Sequence, residues 1–332
     1  MCPMTSYWAG RAVAVTGAGG FIGSHLVDRL VAEGADVRAF LHYNSRADIG
    51  ALAWDSDVSS VDLRYGDLRD LDSVERLVDG CDTVLHLGAL IAIPYSYQAP
   101  RDVIETNVVG THNVLSAAMR HDVARVVSTS TSEVYGTPRG DSITEDDALN
   151  AQSPYAASKI GADQIALSYH RSFGLPVGVL RPFNTYGPRQ SARAVIPTIL
   201  AQGLAGLPVS LGSLHPVRDF LFVEDTVAGM LAFAEWDGLP GGLLHIGTGT
   251  GVSIGDVVEM ARKVLGRDLE VRLDEQRVRP DASEVQLLIC DASRAKAELG
   301  WAPQVDLETG LTRAAEWIER NLQRYRPDVY AV

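Results

Sequence analysis

The sequence predicts an α/β protein: a doubly wound parallel sheet with a smaller, interleaved C-terminal α/β domain. Three observations predict it. Short apolar runs alternate with helix-periodic segments from Arg11 to about Leu180, and a glycine-rich turn joins the first run to the first helical segment. The alternation then loosens after RPFNTYGPRQ, where Pro188, Pro197, Pro208 and Pro216 punctuate shorter elements.

Taken in order, AVAVTG reads as a strand, GSHLVDRLVAEG as a helix, DVRAFL as a strand and DSVERLVDG as a helix. DTVLHLGAL follows as a strand, NVVGTHNVLSAAMRHDV as a helix and RVVSTSTSEVYG as a strand with a hydroxyl-rich end. Strands separated by helices need right-handed crossovers, which put helices on both faces of a parallel sheet. Residues 1–183 are expected to form this first domain and residues 184–332 the smaller one, with helices near Ile254–Leu265 and Leu307–Arg324. Around RDFLFVEDTVAGMLAFAEW the chain is expected to return a strand and a helix, so that 219–247 belong with the first domain.

A chain of 332 residues buries roughly three quarters of its unfolded surface, so a large core is available without cross-links. A formal charge of -13 argues against a surface that neutralises nucleic-acid phosphates, and any phosphate contact must be local. Cys2, Cys81 and Cys290 are scattered and lack metal-ligand spacing, so neither a disulfide framework nor a zinc site is expected. The N-terminus shows no basic segment followed by an apolar run, and no stretch reaches the roughly 18 to 20 apolar residues of a membrane helix. A soluble cytoplasmic protein is the expectation.

The first strand runs into Gly17, Gly20 and Gly23, a GxxGxxG turn opening a helix. Such glycines allow a tight turn and close backbone approach to a pyrophosphate, and the helix start offers free N–H groups; this is the dinucleotide site of a Rossmann fold. The second strand should end on an acidic residue that grips the ribose, but the chain offers His42, Asn44 and Arg46 instead. His42 and Arg46 would suit a 2′-phosphate, so NADP stands beside NAD. Asp67, followed by Leu68 after the third strand, is placed to reach the adenine edge.

Tyr155 and Lys159 stand four apart in YAASK and share one helix face. A cation beside a phenol favours the phenolate and makes tyrosine a usable base. Thr131 and Glu133, in the hydroxyl-rich strand end, fall on the sheet edge where ligands sit in such folds.

The motifs GAGGFIGSHL, STSEVYG, SPYAASK, RPFNTYGP and RDFLFVEDT resemble those of the extended short-chain dehydrogenase/reductases, the family of NAD-dependent nucleotide-sugar epimerases, dehydratases and decarboxylases. The longer strings ALIAIPYSYQAP, NAQSPYAASKIGADQ, RPFNTYGPRQSARAVIPT and RVRPDASEVQLL resemble its GDP-N-acetylglucosamine 4,6-dehydratases of legionaminic acid synthesis. The resemblance implies a tightly bound NAD, with Phe21, Ile22, Leu68 and Leu87 against it beside the residues above. It implies that Tyr155, assisted by Lys159 and Thr131, takes the sugar O4 proton while hydride leaves C4, and that Glu133 removes the C5 proton as water leaves C6. It further implies that Asn184, Arg218 and Arg279 grip a nucleotide diphosphate, that Ser96, Tyr97, Thr131 and Ser132 face the hexose, and that Asn107 supports the catalytic end of the sheet. Many hexose 4,6-dehydratases carry Asp-Glu after the threonine, where this chain has Ser132 and Glu133. The substrate implied is a GDP- or UDP-linked hexose or N-acetylhexosamine, and the assembly a homodimer packed through VIETNVVGTHNVLSAAM and SKIGADQIALSYHRSF. A glucuronate decarboxylase, a 4-epimerase and a non-catalytic nicotinamide sensor share enough of these motifs to stand as alternatives.

Overall fold

A computed structural model describes residues 6–329; Cys2 lies outside them, and Cys81 and Cys290 are buried free thiols. The strands in chain order are β1 (Ala12–Thr16), β2 (Asp36–His42), β3 (Asp62–Gly66), β4 (Thr83–His86), β5 (Arg125–Thr129), β6 (Val177–Pro182) and β7 (Asn184–Tyr186). They continue as β8 (Val209–Leu211), β9 (Val217–Phe222), β10 (Leu243–Ile246), β11 (Gly251–Ser253), β12 (Val271–Leu273) and β13 (Leu287–Leu288).

Seven strands form one parallel sheet in the order β10-β6-β5-β4-β1-β2-β3. The strand order reverses at β1, between β4 and β2, so the crevice beyond the carboxyl ends of β1 and β4 is the switch point where such sheets take ligands. Around β9 a smaller sheet gathers β11, β13 and β7, and β8 pairs with β12. The predicted doubly wound plan is the observed one.

The interleaving differs in one element from the sequence expectation. Val217–Phe222 stays in the smaller sheet; the following helix, Val223–Glu235, and β10 are what return. That helix buries Val227, Met230, Phe233 and Ala234 in the same core cluster as Leu26, Val27 and Leu30 of the first helix, Phe21–Ala32. A second cluster, with Ile196, Leu200, Phe222, Val257, Leu311 and Ile318, is the core of the smaller part. Its helix Ile254–Leu265 is as predicted, and the C-terminal helix ends at Arg320 before a short turn, Leu322–Tyr325.

Among the described residues no helix is long and apolar enough to cross a membrane, and no cluster of three or more His, Cys, Asp or Glu is placed to hold a metal ion.

Candidate active site

The glycine turn has the backbone its sequence requires. Gly17 is left-handed (φ +70°), and a Cβ there would lie 2.9 Å from the Gly88 nitrogen beyond β4. At Gly23 an added Cβ would collide with the Gly17 carbonyl oxygen, so the first helix seats against the turn only with glycine there. Gly20 caps that helix without a side-chain bond, leaving its first N–H groups free for an anion. These residues fit a pyrophosphate cradle.

Around the cradle, Leu68 is buried, and its side chain would be struck by a Cβ at either Gly88 or Gly110. Leu87 donates its N–H to the Thr16 carbonyl and hydroxyl oxygens at 3.3 and 3.1 Å. Asp67 is tied to Arg69 at 2.6 Å, which holds its carboxyl below the usual range. After β2, His42 and Arg46 are exposed, while the Asn44 side chain organises the loop by accepting from the Arg46 and Asp48 N–H groups at 3.1 and 2.9 Å. Ala51 N–H then donates to the Gly19 carbonyl at 2.8 Å, so the chain after this loop straps the glycine turn. The strap is fastened by Trp54, stacked on Trp317 of the smaller part at 4.8 Å between ring centroids.

Beneath the cradle lies a neutral histidine whose protons can be assigned. Thr111 spends its hydroxyl proton on the Asn107 carbonyl at 2.6 Å, so it accepts from His86 Nε2 at 3.0 Å. Thr16 must then donate to His86 Nδ1 at 2.7 Å. Burial, with the Lys159 charge adding to it, pushes the His86 pKa down to about 3.

The catalytic helix, Pro154–Phe173, starts where Ser153 accepts the Ala156 N–H at 3.1 Å and Pro154 occupies its first turn, and it stops at left-handed Gly174. Tyr155 and Lys159 therefore lie in its first turns, both buried. Thr131 hydrogen-bonds the Tyr155 phenol, yet burial dominates and, with the Glu133 and Asp163 charges, holds the phenol above its ordinary value. The expected lowering by Lys159 is not seen: its ammonium donates to the Thr129 carbonyl at 2.7 Å, and its own pKa is lowered by burial against the Asp163 charge. Asn107, in a π-helical turn, donates to the Leu90 carbonyl and to Ser158 Oγ, both at 2.9 Å, and Ser158 donates to the Tyr155 carbonyl at 2.7 Å. Asn107 thus couples the β4 loop to the catalytic helix.

Glu133 sits on the 3₁₀ turn Ser132–Tyr135, whose first N–H groups include its own, donated to Thr131 Oγ1 at 3.2 Å. It lines a cleft with Asn184, Arg218 and Arg279. Four of the predicted residues, over 140 positions apart in sequence, thus meet in one cavity. Arg218 is paired with Glu284 at 3.0 Å, and Arg279 approaches the same carboxylate oxygen at 3.5 Å. The Asn184 Oδ1 is buried without a partner, and so is the Oε1 of Gln190, whose amide donates to the Thr185 carbonyl at 2.9 Å. Ser132 is buried. Ser96 does not present its hydroxyl to the cleft; it is fully buried and donates to the Ile93 carbonyl at 2.7 Å. Tyr97 donates to Ser283 Oγ at 2.6 Å, since Ser283 spends its proton on the Gln152 carbonyl, also at 2.6 Å.

Glu284, Gln190, Asp163 and Arg181 were not singled out in the sequence. Only Asp163 left a signal there, continuing the four-residue step of Tyr155 and Lys159.

Residues 14–314 match the GDP-mannose 4,6 dehydratase family. A dTDP-glucose 4,6-dehydratase of Streptomyces antibioticus is 36% identical over 320 residues, 94% of each chain. The crystal structure of DesIV, a dTDP-glucose 4,6-dehydratase from Streptomyces venezuelae with NAD and TYD bound, superposes with a TM-score of 0.84 at 33% identity, over 95% of this chain and 99% of that one. The epimerase Mth375 of Methanothermobacter thermautotrophicus superposes with a TM-score of 0.88 at 26% identity, over 96% and 95%. The chain accordingly belongs to the GDP-mannose 4,6-dehydratase family, among the nucleotide-sugar dehydratases and epimerases of the extended short-chain dehydrogenase/reductases.

Proposed function

We propose that this chain is a nucleotide-sugar 4,6-dehydratase working with a resident NAD. The observation that carries the reading is the position of Glu133: one carboxylate lies within the electrostatic reach of the Tyr155 phenol and also lines the cleft that holds Arg218 and Arg279. A 4-epimerase has no need of a carboxylate there, because it only lets a keto sugar turn before hydride returns.

Gly17, Gly20, Phe21 and Ile22 would hold the pyrophosphate, with Asp67, Leu68 and Leu87 around the rest of the dinucleotide and His42, Asn44 and Arg46 at the open end of the ribose site. An NAD bound there would supply the acceptor for the C4 hydride and its donor at C6. Tyr155, as the phenolate, takes the O4 proton, and the Thr131 hydrogen bond favours that phenolate before the transfer. Glu133 removes the C5 proton, made acidic by the adjacent ketone, and hands it to the departing C6 hydroxyl as water leaves; C5 regains a proton from solvent when hydride adds at C6. Ser132, buried where many relatives carry an aspartate, leaves Glu133 to make both transfers. Asn184, Arg218 and Arg279 would bind the diphosphate, and Tyr97 the sugar side of the cleft.

The proposed substrate is a GDP- or UDP-linked hexose or N-acetylhexosamine. The test is mass spectrometry of GDP-, UDP-, CDP- and dTDP-linked glucose, N-acetylglucosamine, mannose and glucuronate after incubation without added reductant. Loss of one water from a hexose supports the reading and names the nucleotide. Loss of carbon dioxide from glucuronate assigns a decarboxylase instead, and unchanged mass with an altered C4 configuration assigns an epimerase. A homodimer is proposed through the helices around 100–120 and Pro154–Phe173, which leave Ile104, Val109 and Phe173 exposed; a monomer in light scattering would exclude it.

A further inference from the structure

The two arginines proposed for the diphosphate are not idle in this structure. Arg218 is 8% exposed and Glu284 15%, and their ion pair spans 3.0 Å. Arg279 comes within 3.5 Å of the same Glu284 oxygen, and its Nη1 is buried with no hydrogen bond. Arg218 has one other anchor, the Val217 carbonyl at 3.0 Å, which orients the guanidinium without neutralising it. Burial lowers the Arg218 pKa, and Glu133 and Glu284 are the carboxylates that oppose the shift.

The segment that carries Glu284 is held in place independently of the arginines. Gln152, just before the catalytic helix, donates to the Ala282 carbonyl at 2.9 Å, while Ser283 links Tyr97 to the Gln152 carbonyl. The carboxylate is therefore fixed against the cationic pair by its own backbone. A nearly buried guanidinium stripped of its ion-pair partner is costly, and an arriving anion would recover that cost.

We propose that Glu284 is a resident competitor for the arginine pair, setting how tightly substrate and product nucleotides are held. This rests on the reading of Arg218 and Arg279 as the diphosphate site. Without Glu284 the empty site carries uncompensated positive charge, so a pyrophosphate gains more on entering and leaves more slowly. With it, part of that charge is already compensated, and binding exchanges one anion for another. Product release is the step that benefits.

The experiment is calorimetric titration of UDP, dTDP and GDP into NAD-loaded wild-type protein and into Glu284→Gln, paired with thermal unfolding with and without nucleotide. The variant should bind the preferred nucleoside diphosphate about tenfold more tightly, with a lower KM and a lower kcat as release slows. Its nucleotide-free unfolding temperature should fall, and its gain on saturation should exceed that of the wild type. Should Glu284→Gln not fold, Glu284→Asp, whose shorter arm withdraws the charge, should show the same trend at smaller size. Equal or weaker binding in the variants overturns the proposal, because a carboxylate that merely orients the arginines would cost affinity when lost. If none of the three nucleotides binds even the wild type, the diphosphate reading falls with it.

Discussion

Arg181 sends two nitrogens, Nε and Nη2, to a single oxygen of Asp163, at 3.0 and 2.9 Å, and Ser130 donates to the same Oδ2 at 2.8 Å. Both partners are buried under the catalytic helix, and Arg181 also donates to the Tyr135 phenol, which reaches His245 Nε2 at 2.6 Å. Removing one member of such a pair leaves a bare charge in the core, at a cost of about 3–5 kcal/mol. Asp163→Asn should therefore unfold at markedly lower denaturant, and adding Arg181→Met should recover part of the loss. A double variant no more stable than Asp163→Asn would show that the pair is not the source of the effect.

Tyr155→Phe should keep its fold and lose about 10²–10⁴ in kcat, since it deletes the proposed O4 base. Thr131→Val gives a sharper reading. The Thr131 bond lowers the Tyr155 pKa against its burial, so losing it raises the phenol further and moves the ascending limb of the pH–rate profile toward higher pH. An unshifted pH–rate profile would place Thr131 outside the proton transfer.

Glu133→Gln separates oxidation from elimination. The variant should still oxidise C4, seen as reduced nicotinamide in single-turnover absorbance, but release no dehydrated sugar. Dehydration at the wild-type rate would remove the role assigned to that carboxylate.

The parts legible in the sequence were those written locally. The strand-turn-helix at Gly17–Gly23 and the four-residue step from Tyr155 to Lys159 are short-range patterns that backbone geometry enforces. What stayed hidden depends on contacts across the chain. Glu284 meets Arg218 only because its loop is tied to Gln152, and Trp54 meets Trp317 across 263 positions, neither pairing having a sequence period. Ser96 reads from the sequence as facing the sugar; a hydroxyl near a turn can face a ligand or its own backbone, and here the Ile93 carbonyl takes it. Lys159 was correctly placed on the face of Tyr155, but its ammonium found the Thr129 carbonyl.

Two buried histidines predict an acid limit to stability. His86 and His245 are held neutral with pKa values pushed down to about 3, chiefly by burial, with the Lys159 and Arg181 charges next in each case. In the unfolded chain both titrate near about 6.5. The neutral fold is thus fully favoured above that value, and stability falls as pH drops from about 6.5 toward 3. The two together should remove about 4 kcal/mol between pH 7 and 5. Unfolding by urea at the two pH values measures it, and His86→Gln should lose about half of the dependence.

Gly23→Ala tests the cofactor cradle without altering a polar side chain. In an ordinary helix this change gains about 1 kcal/mol of propensity. Here the new Cβ would meet the Gly17 carbonyl oxygen and lie 3.0 Å from the Ala18 Cα, and both belong to backbone that cannot swing aside. The helix must back away from the turn, at a cost of about 1–3 kcal/mol that outweighs the propensity gain. Its free N–H groups then retreat from the pyrophosphate position, so NAD affinity should fall more than stability does. Fluorescence titration with NAD beside thermal unfolding reads the two separately; unchanged NAD affinity in a folded Gly23→Ala protein would mean that the glycine turn does not hold the dinucleotide.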